Sequence, residues 1–403
     1  MSEDQFLKGK KILLTSFSYA MFGGAELNPV ELAEQLVKFG ATVHFFSYDY
    51  SGPLAHHMKI KFNTEIYTDD VHHLTATDDQ LQVTEFDINE FDYIWVGGNT
   101  LPISIIRQIN TAKKLPKFLF IHMSTFVGLP LDAPLLPTFE KSIASKILTI
   151  SDDTTNNCIY RILGKDIPLD RWDNPTPAGF SVLKPRSGDL KRIAVISSSH
   201  PTDEVIGIIS MLQKQGIIVD LIGRFNNNMQ IVDAEFYNKY DAIIGIGKNV
   251  KYSLVAGIPV YIYGRFGGPG YLSEKNIQTA EKNNFSGRGF SSKTTRQITQ
   301  EIIEGYSGAL AFHEARRQES INAYSIDVVA KRLFTELEKE QPKKITFPEE
   351  HINWLVSMQI NILQRTRYAM AIRDMEARIQ QLESQKKSKR SLLLRTVGRL
   401  HGR

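Results

Sequence analysis

The sequence predicts an α/β chain: two successive doubly wound, Rossmann-like domains facing a cleft, with a coiled-coil-like helical extension at the C-terminus. Three observations carry this. Short apolar runs ending in Gly, Ser or Asp recur along the first half, each followed by helix-compatible residues. That is the pattern of buried parallel strands alternating with helices. A polar segment rich in Pro, Asp and Asn interrupts it at 164–190, and the pattern then restarts. From Pro348 to Gln385 there is no strand-like run and no proline after Pro348.

The elements follow in order. "KKILLTS" (10–16) reads as the first strand. A helix follows, with Leu32, Ala33, Leu36 and Val37 on one face and Gly40 ending it. "ATVHFFSY" (41–48), "FDYIWVGG" (91–98), "KFLFIHMS" (117–124) and "SKILTISD" (145–152) repeat the strand signature. After the polar segment come "RIAVISSS" (192–199), "IIVDLIG" (217–223), "DAIIGIG" (241–247) and "IPVYIYG" (258–264). The boundaries expected are a first domain at 1–170, a linker at 171–190 and a second domain at 191–345. A helical extension at 346–385 and a tail at 386–403 complete the chain. In the extension Leu355, Met358, Ile362, Ala369 and Ile372, then Met375, Ile379 and Leu382, keep a three/four spacing broken at Arg365 and Glu376. This pattern fits a coiled-coil or bundle helix and a homo-oligomer formed through the 350–385 helix. In the tail, Lys386, Lys387, Lys389, Arg390, Arg395, Arg399 and Arg403 share the sequence with leucines, and no acid follows Glu383. If helical, it is a basic amphipathic segment suited to an anionic membrane surface.

Composition narrows the class. The chain has 403 residues, 42% hydrophobic and 23% charged, enough for two full cores. A formal net charge of only +4 gives no field pointing to nucleic acid. The single cysteine, Cys158, excludes an internal disulfide framework and fits a reducing compartment. The start, "MSEDQFLKGKK", shows no signal-peptide h-region. The expectation is a soluble cytoplasmic protein, peripheral on the inner face of the plasma membrane where its tail engages.

Ligands of a doubly wound sheet bind outside the carboxyl ends of the strands, so residues there are the candidates. After the first strand, "SFSYAMFGGAE" lacks the dinucleotide G-x-G-x-x-G. Gly23 and Gly24 can offer backbone N–H groups near a helix start. Asn28 as N-cap, with Pro29 at the first helical position and Glu31 three residues on, is an alternative start that leaves the glycine pair in a loop. His122, at the end of "FIHMS", is placed to act as a base or to hydrogen-bond a sugar; a satisfied core histidine is the alternative. His200 follows Ser197–Ser199 at another strand end, as a phosphate or ribose contact or part of a capping loop. Arg224 lies just past "DLIG". Lys248 sits in the first turn of a helix, where a cation opposes the dipole and calls for an anion. "PVYIYGRFGGPGYL" (259–272) runs into a glycine-rich stretch, 264–270, holding Arg265, Gly267 and Gly268. It reads as a loop that lets backbone approach a diphosphate, with Tyr271 free to pack on a sugar or base. No H-E-x-x-H, cysteine pair, Asp-x-Asp, Walker A or G-x-S-x-G is present, so neither a metal nor a cofactor is expected.

"GGAE" with "ELAEQLVKFGATVHFF", the second opening "RIAVIS", and "AGIPVYIYGRFGG" resemble a GT-B glycosyltransferase, family-4-like. "SKRSLLLRTVGR" loosely resembles the ending that follows a coiled coil in bacterial cell-surface polysaccharide glycosyltransferases, without its Trp and Pro. The resemblance implies an acceptor-side first domain and a nucleotide-sugar donor domain second. It implicates Gly23, Gly24, His122, Arg224, Lys248, Gly267 and Gly268. Its pair of glutamates is missing: Ile244 and Tyr252 occupy their positions. That leaves Lys248, Tyr252 and the 264–271 stretch to hold the donor. The expected function is therefore transfer of a sugar from a nucleoside-diphosphate sugar to a glycan acceptor, lipid-linked in view of the tail. The alternatives are a non-catalytic subunit that stabilises an active glycosyltransferase and, with less support, a nucleotide-sugar epimerase on the same fold.

Overall fold

The computed structural model describes residues 5–71, 81–124, 133–184, 186, 188–197, 201–223 and 228–400; side chains are not described for 71, 377, 380, 381 and 384–400. The first sheet is assembled from β1 (Lys11–Thr15), β2 (Thr42–Phe46), β3 (Ile66–Tyr67), β6 (Tyr93–Gly97), β7 (Lys117–His122), β8 (Ala144–Thr149) and β9 (Leu169–Arg171). A small antiparallel ladder of β4 (Asp70–Val71) and β5 (Leu81–Gln82) stands beside it. The order is β3-β2-β1-β6-β7-β8-β9, parallel throughout. Every residue of β6 is buried, which is why its sequence is a continuous apolar run.

The two-residue period of a strand sends neighbours to opposite faces, and each face has its own core. Ile12 and Leu14 pack with α1 (Gly24–Lys38) and α2 (Pro53–Phe62); Leu13 and Ile94 pack with α3 (Ile103–Gln108) and α4 (Pro137–Ile143). Two short helices, α5 (Asp152–Thr154) and α6 (Tyr160–Leu163), lead into the linker.

The second sheet has β10 (Arg192–Ile196), β11 (Ile218–Ile222), β12 (Ala242–Gly245), β13 (Val260–Gly264) and β14 (Gly267–Tyr271), ordered β11-β10-β12-β13-β14. The last pair is antiparallel. Around it lie α7 (Asp203–Gln213), α8 (Ala234–Tyr237), α9 (Lys248–Ala256), α10 (Ile277–Lys282) and α11 (Thr295–Tyr324). The two Rossmann-like domains and the helical extension expected from the sequence are thus present.

Two segments pack differently from the sequence reading. After Tyr324 the chain crosses back: α12 (Ile326–Lys339), grouped by sequence with the second domain, buries Ile326, Leu333, Phe334 and Leu337 in the first. Then α13 (Glu349–Leu400) begins not as a free extension but as part of the first core, burying Ile352, Leu355, Ile362 and Leu363. Gln359, 1% exposed, accepts from the Leu101 N–H and donates to the Asn99 carbonyl. Arg373 forks onto Asp49 at 3.0 and 3.1 Å. Such bidentate pairing fixes geometry as well as charge. Among the described residues no helix is long and apolar enough to cross a membrane.

The two crossings meet. Thr176 N–H donates to Tyr324 O at 2.7 Å, and Ile326 N–H donates to Thr176 O at 2.8 Å. Beneath them Lys251, 2% exposed, donates to the Asp173 carbonyl and lies over the Tyr324 ring at 5.5 Å. Burial pushes its ammonium down to about 8, against a partial opposing pull from Asp173. Folding therefore sheds a proton between about pH 8 and the ordinary lysine value, and stability rises with pH across that window. Lys251→Met is expected to abolish this slope, worth about 3 kcal/mol in full. Urea unfolding of both proteins from pH 7.5 to 10 checks it; a pH-independent difference would show that Lys251 does not titrate in the fold.

Candidate functional site: the strand-end cleft

In each sheet the chain reverses direction between two parallel neighbours, which opens a crevice at their carboxyl ends. In the first sheet that point lies between β1 and β6, and in the second between β10 and β12.

At the first point there is a cavity of about 170 Å³ lined by Thr15, Ser18, Glu26, Trp95, Gly97 and Met123, among others. Its mouth is the start of α1. That helix begins at Gly24, with Gly23 as N-cap, and not at Asn28. Asn28 fails as a cap because it is committed elsewhere. It accepts from Trp172 Nε1 at 2.7 Å and donates to Asn174 at 3.2 Å, tying α1 to the linker. Pro29 stands inside α1 and also lines the cavity. Gly23 leaves room for the Glu26 carboxylate, which a Cβ there would meet at 2.1 Å. Gly24 faces open space.

Glu26 was not singled out from the sequence, although it closes "GGAE". Burial raises its carboxyl above the usual range; Asp49 adds to this and Lys248 of the second domain opposes it. The Trp95 indole N–H, in the same lining, is buried with no hydrogen-bond partner among the described residues.

Across from α1 stands α9, whose N-cap Gly247 takes a left-handed φ of 61°. Lys248, its first residue, is the cation against the dipole. The anion beside it is a protein carboxylate: Glu31 Oε2 lies 2.5 Å from Lys248 Nζ, both side chains 9% exposed. The Tyr252 hydroxyl donates to the other oxygen of Glu31. Lys248 also sits over the Tyr252 ring at 5.6 Å. Its ammonium has no well-directed hydrogen bond among the described residues. Tyr252 is buried, stacked on Phe180 of the linker at 4.4 Å. Lys248 and Tyr252 are therefore latched to the first domain. Burial raises the Glu31 carboxyl, while Lys248 and Tyr252 pull it back.

Other expected residues are placed otherwise. His122 does not face the cleft. It is 5% exposed, with Nε2 2.7 Å from Glu140 of α4, because strand alternation sends Ile121 and Met123 to the cavity side instead. The 264–270 stretch is not a loop: it is a hairpin whose turn holds only Arg265 and Phe266. Its glycines serve close packing. A Cβ on Gly268 would lie 2.0 Å from Ile262 O, and one on Gly267 (φ +82°) 2.5 Å from Ser291 O. Tyr271 is taken up too, donating to Ile302 O at 3.3 Å and packing edge-on against Tyr261. Arg265 remains exposed at the tip, over the Phe266 ring at 4.5 Å. Arg288, missed in the sequence, covers the same ring at 4.1 Å. "SGRG" (286–289) was its only sequence signal. His200 and Arg224 fall outside the described residues.

No protein-family model matches the chain, and no curated protein matches it in sequence. Solved structures do. A glycosyltransferase from Rickettsia africae ESF-5 aligns with TM-score 0.51 and 15% identity over 82% of this chain and 100% of that one. A UDP-N-acetylglucosamine 2-epimerase aligns with TM-score 0.47 and 13% identity over 84% and 100%. WaaG, a glycosyltransferase involved in lipopolysaccharide biosynthesis, aligns with TM-score 0.46 and 11% identity over 80% and 99%. The chain has the GT-B fold, two Rossmann-like domains with a C-terminal helical stretch.

Proposed function

We propose that the protein is a glycosyltransferase that moves a sugar from a nucleoside-diphosphate sugar to a hydroxyl of a glycan acceptor. The observation that carries this is the juxtaposition of Glu26, at the mouth of the first-domain cavity, with Lys248 at the start of α9. Transfer needs a group that takes the acceptor proton and fixed positive charge where the diphosphate departs. Glu26, made more basic by burial, fits the first role. Lys248, the N–H groups at the start of α9, and the exposed pair Arg265 and Arg288 fit the second. In this reading the donor diphosphate displaces Glu31 from Lys248. Gly24 leaves open space beside the α1 start for the approaching sugar, and Gly23 leaves room there for the Glu26 carboxylate. The basic tail suits a lipid-linked acceptor at an anionic surface, since each Lys or Arg contributes about 1 kcal/mol there.

The test is the purified chain, offered UDP-, GDP- and dTDP-sugars with and without a membrane extract. Nucleotide release that rises with the extract is expected for one donor. The chain ending at Gln385 should retain any donor hydrolysis and lose transfer to membrane-embedded acceptor. A second reading is favoured by the Glu31–Lys248 latch and by Ile244 and Tyr252 at the glutamate positions: a non-catalytic subunit that stabilises an active transferase. It predicts neither nucleotide binding nor nucleotide release with any donor.

A further inference from the structure

From Tyr368 to Leu382, α13 carries an apolar stripe that the body of the protein leaves exposed. Tyr368, Ile372, Met375, Ile379 and Leu382 are 51–59% exposed. Their spacing of four, three, four and three residues is that of alternating d and a positions of a heptad. The stripe is confined to that seam. Ala369 and Ala371 flank it near Tyr368, and charged residues, Glu376, Arg378 and Glu383, flank it further on. An interfacial lipid-binding helix instead has a broad apolar face flanked by Lys and Arg. Two glutamates beside the seam oppose an anionic surface.

We propose that this seam pairs with the same seam of a second copy of the chain, as a parallel, in-register two-stranded coiled coil. Charge selects the orientation. With Ile372 and Ile379 at a, Glu376 and Glu383 fall at e and Arg378 at g. In a parallel pair g faces the e position five residues on in the partner, so Arg378 meets Glu383 twice by symmetry. An antiparallel pair sets e against e and g against g, bringing like charges together. The body does not block this arrangement. The buried face of α13 runs from Ile352 through Gln359 and Leu363 to Thr366 and ends before the seam begins, and Arg373 on Asp49 holds the helix in place as it leaves. The next seam position, Lys386, closes the apolar run. Parallel pairing also brings both basic tails to one end of the dimer. The pairing does not depend on the transferase reading.

Sedimentation of the full chain at micromolar concentration is expected to give the dimer mass. I372D/I379D should give a monomer that still melts cooperatively, because both residues lie outside the cores. R378E should weaken the dimer at least tenfold, and R378E/E383R should restore it. L382C should form a disulfide-linked dimer on mild oxidation; the only other cysteine, Cys158, is buried. A monomeric wild-type chain overturns the proposal, whether or not the stripe binds vesicles. So does a dimer in which L382C fails to cross-link or the charge swap fails to rescue.

Discussion

Glu31→Ala is expected to destabilise the closed protein by about 3 kcal/mol and to strengthen binding of nucleoside diphosphate. Both effects come from one contact. Glu31 and Lys248 are nearly buried and lie 2.5 Å apart across the two domains. Removing one member of such a pair strands the other charge in a poor dielectric, at a cost of about 3–5 kcal/mol. The Tyr252 hydroxyl loses its acceptor at the same time. Glu31→Ala/Lys248→Met should recover much of that stability, because no ammonium is left stranded. In binding the two single variants should part company. Glu31→Ala frees Lys248 for phosphate, whereas Lys248→Ala removes the cation and should weaken a diphosphate more than the bare nucleoside. Calorimetry with UDP, GDP and dTDP against their nucleosides reads this directly. If the two variants shift diphosphate affinity in the same direction, Lys248 does not exchange Glu31 for phosphate.

Glu26→Gln is expected to lower the transfer rate by about 10²–10³-fold while leaving nucleotide affinity near wild type. A positioned base contributes about this much, and the amide keeps the shape while losing the basicity. The wild-type rate should rise with pH as Glu26 deprotonates, above the ordinary carboxyl value because burial raises it. That acid limb should vanish in the variant. A Gln variant that keeps both the rate and the limb would remove Glu26 from proton transfer and leave it a structural neighbour of Asp49.

The residues that resisted sequence reading share a physical cause. Asn28 has ideal N-cap chemistry locally. Its hydrogen bonds to Trp172 and Asn174 close over 144 and 146 residues, and they place it one turn inside α1. The four glycines of 264–270 spell a loop to any local rule. Instead Gly264 ends β13 and the other three lie in β14, where Phe290 and Ser291 beside Gly267, and Ile262 beside Gly268, leave no room for a Cβ. His122 stands at a strand end as expected, but only packing decided which face it takes and that Glu140 would meet it. Lys248 did signal an anion, through its conflict with the helix dipole. That the anion is Glu31, from the other domain, could not be seen without the fold.

What the sequence determined by itself was the alternation of buried parallel strands and helices, the break between two such sets, and the helix that follows them. Each is written in local periodicity and apolar runs, because a strand buried on both faces has no polar choice. The tertiary structure alone decided that α12 and the first half of α13 return to the first domain, and which strand-end groups confront one another across the cleft. Those outcomes depend on burial and charge pairing between segments far apart in the chain, and no local pattern encodes the partner.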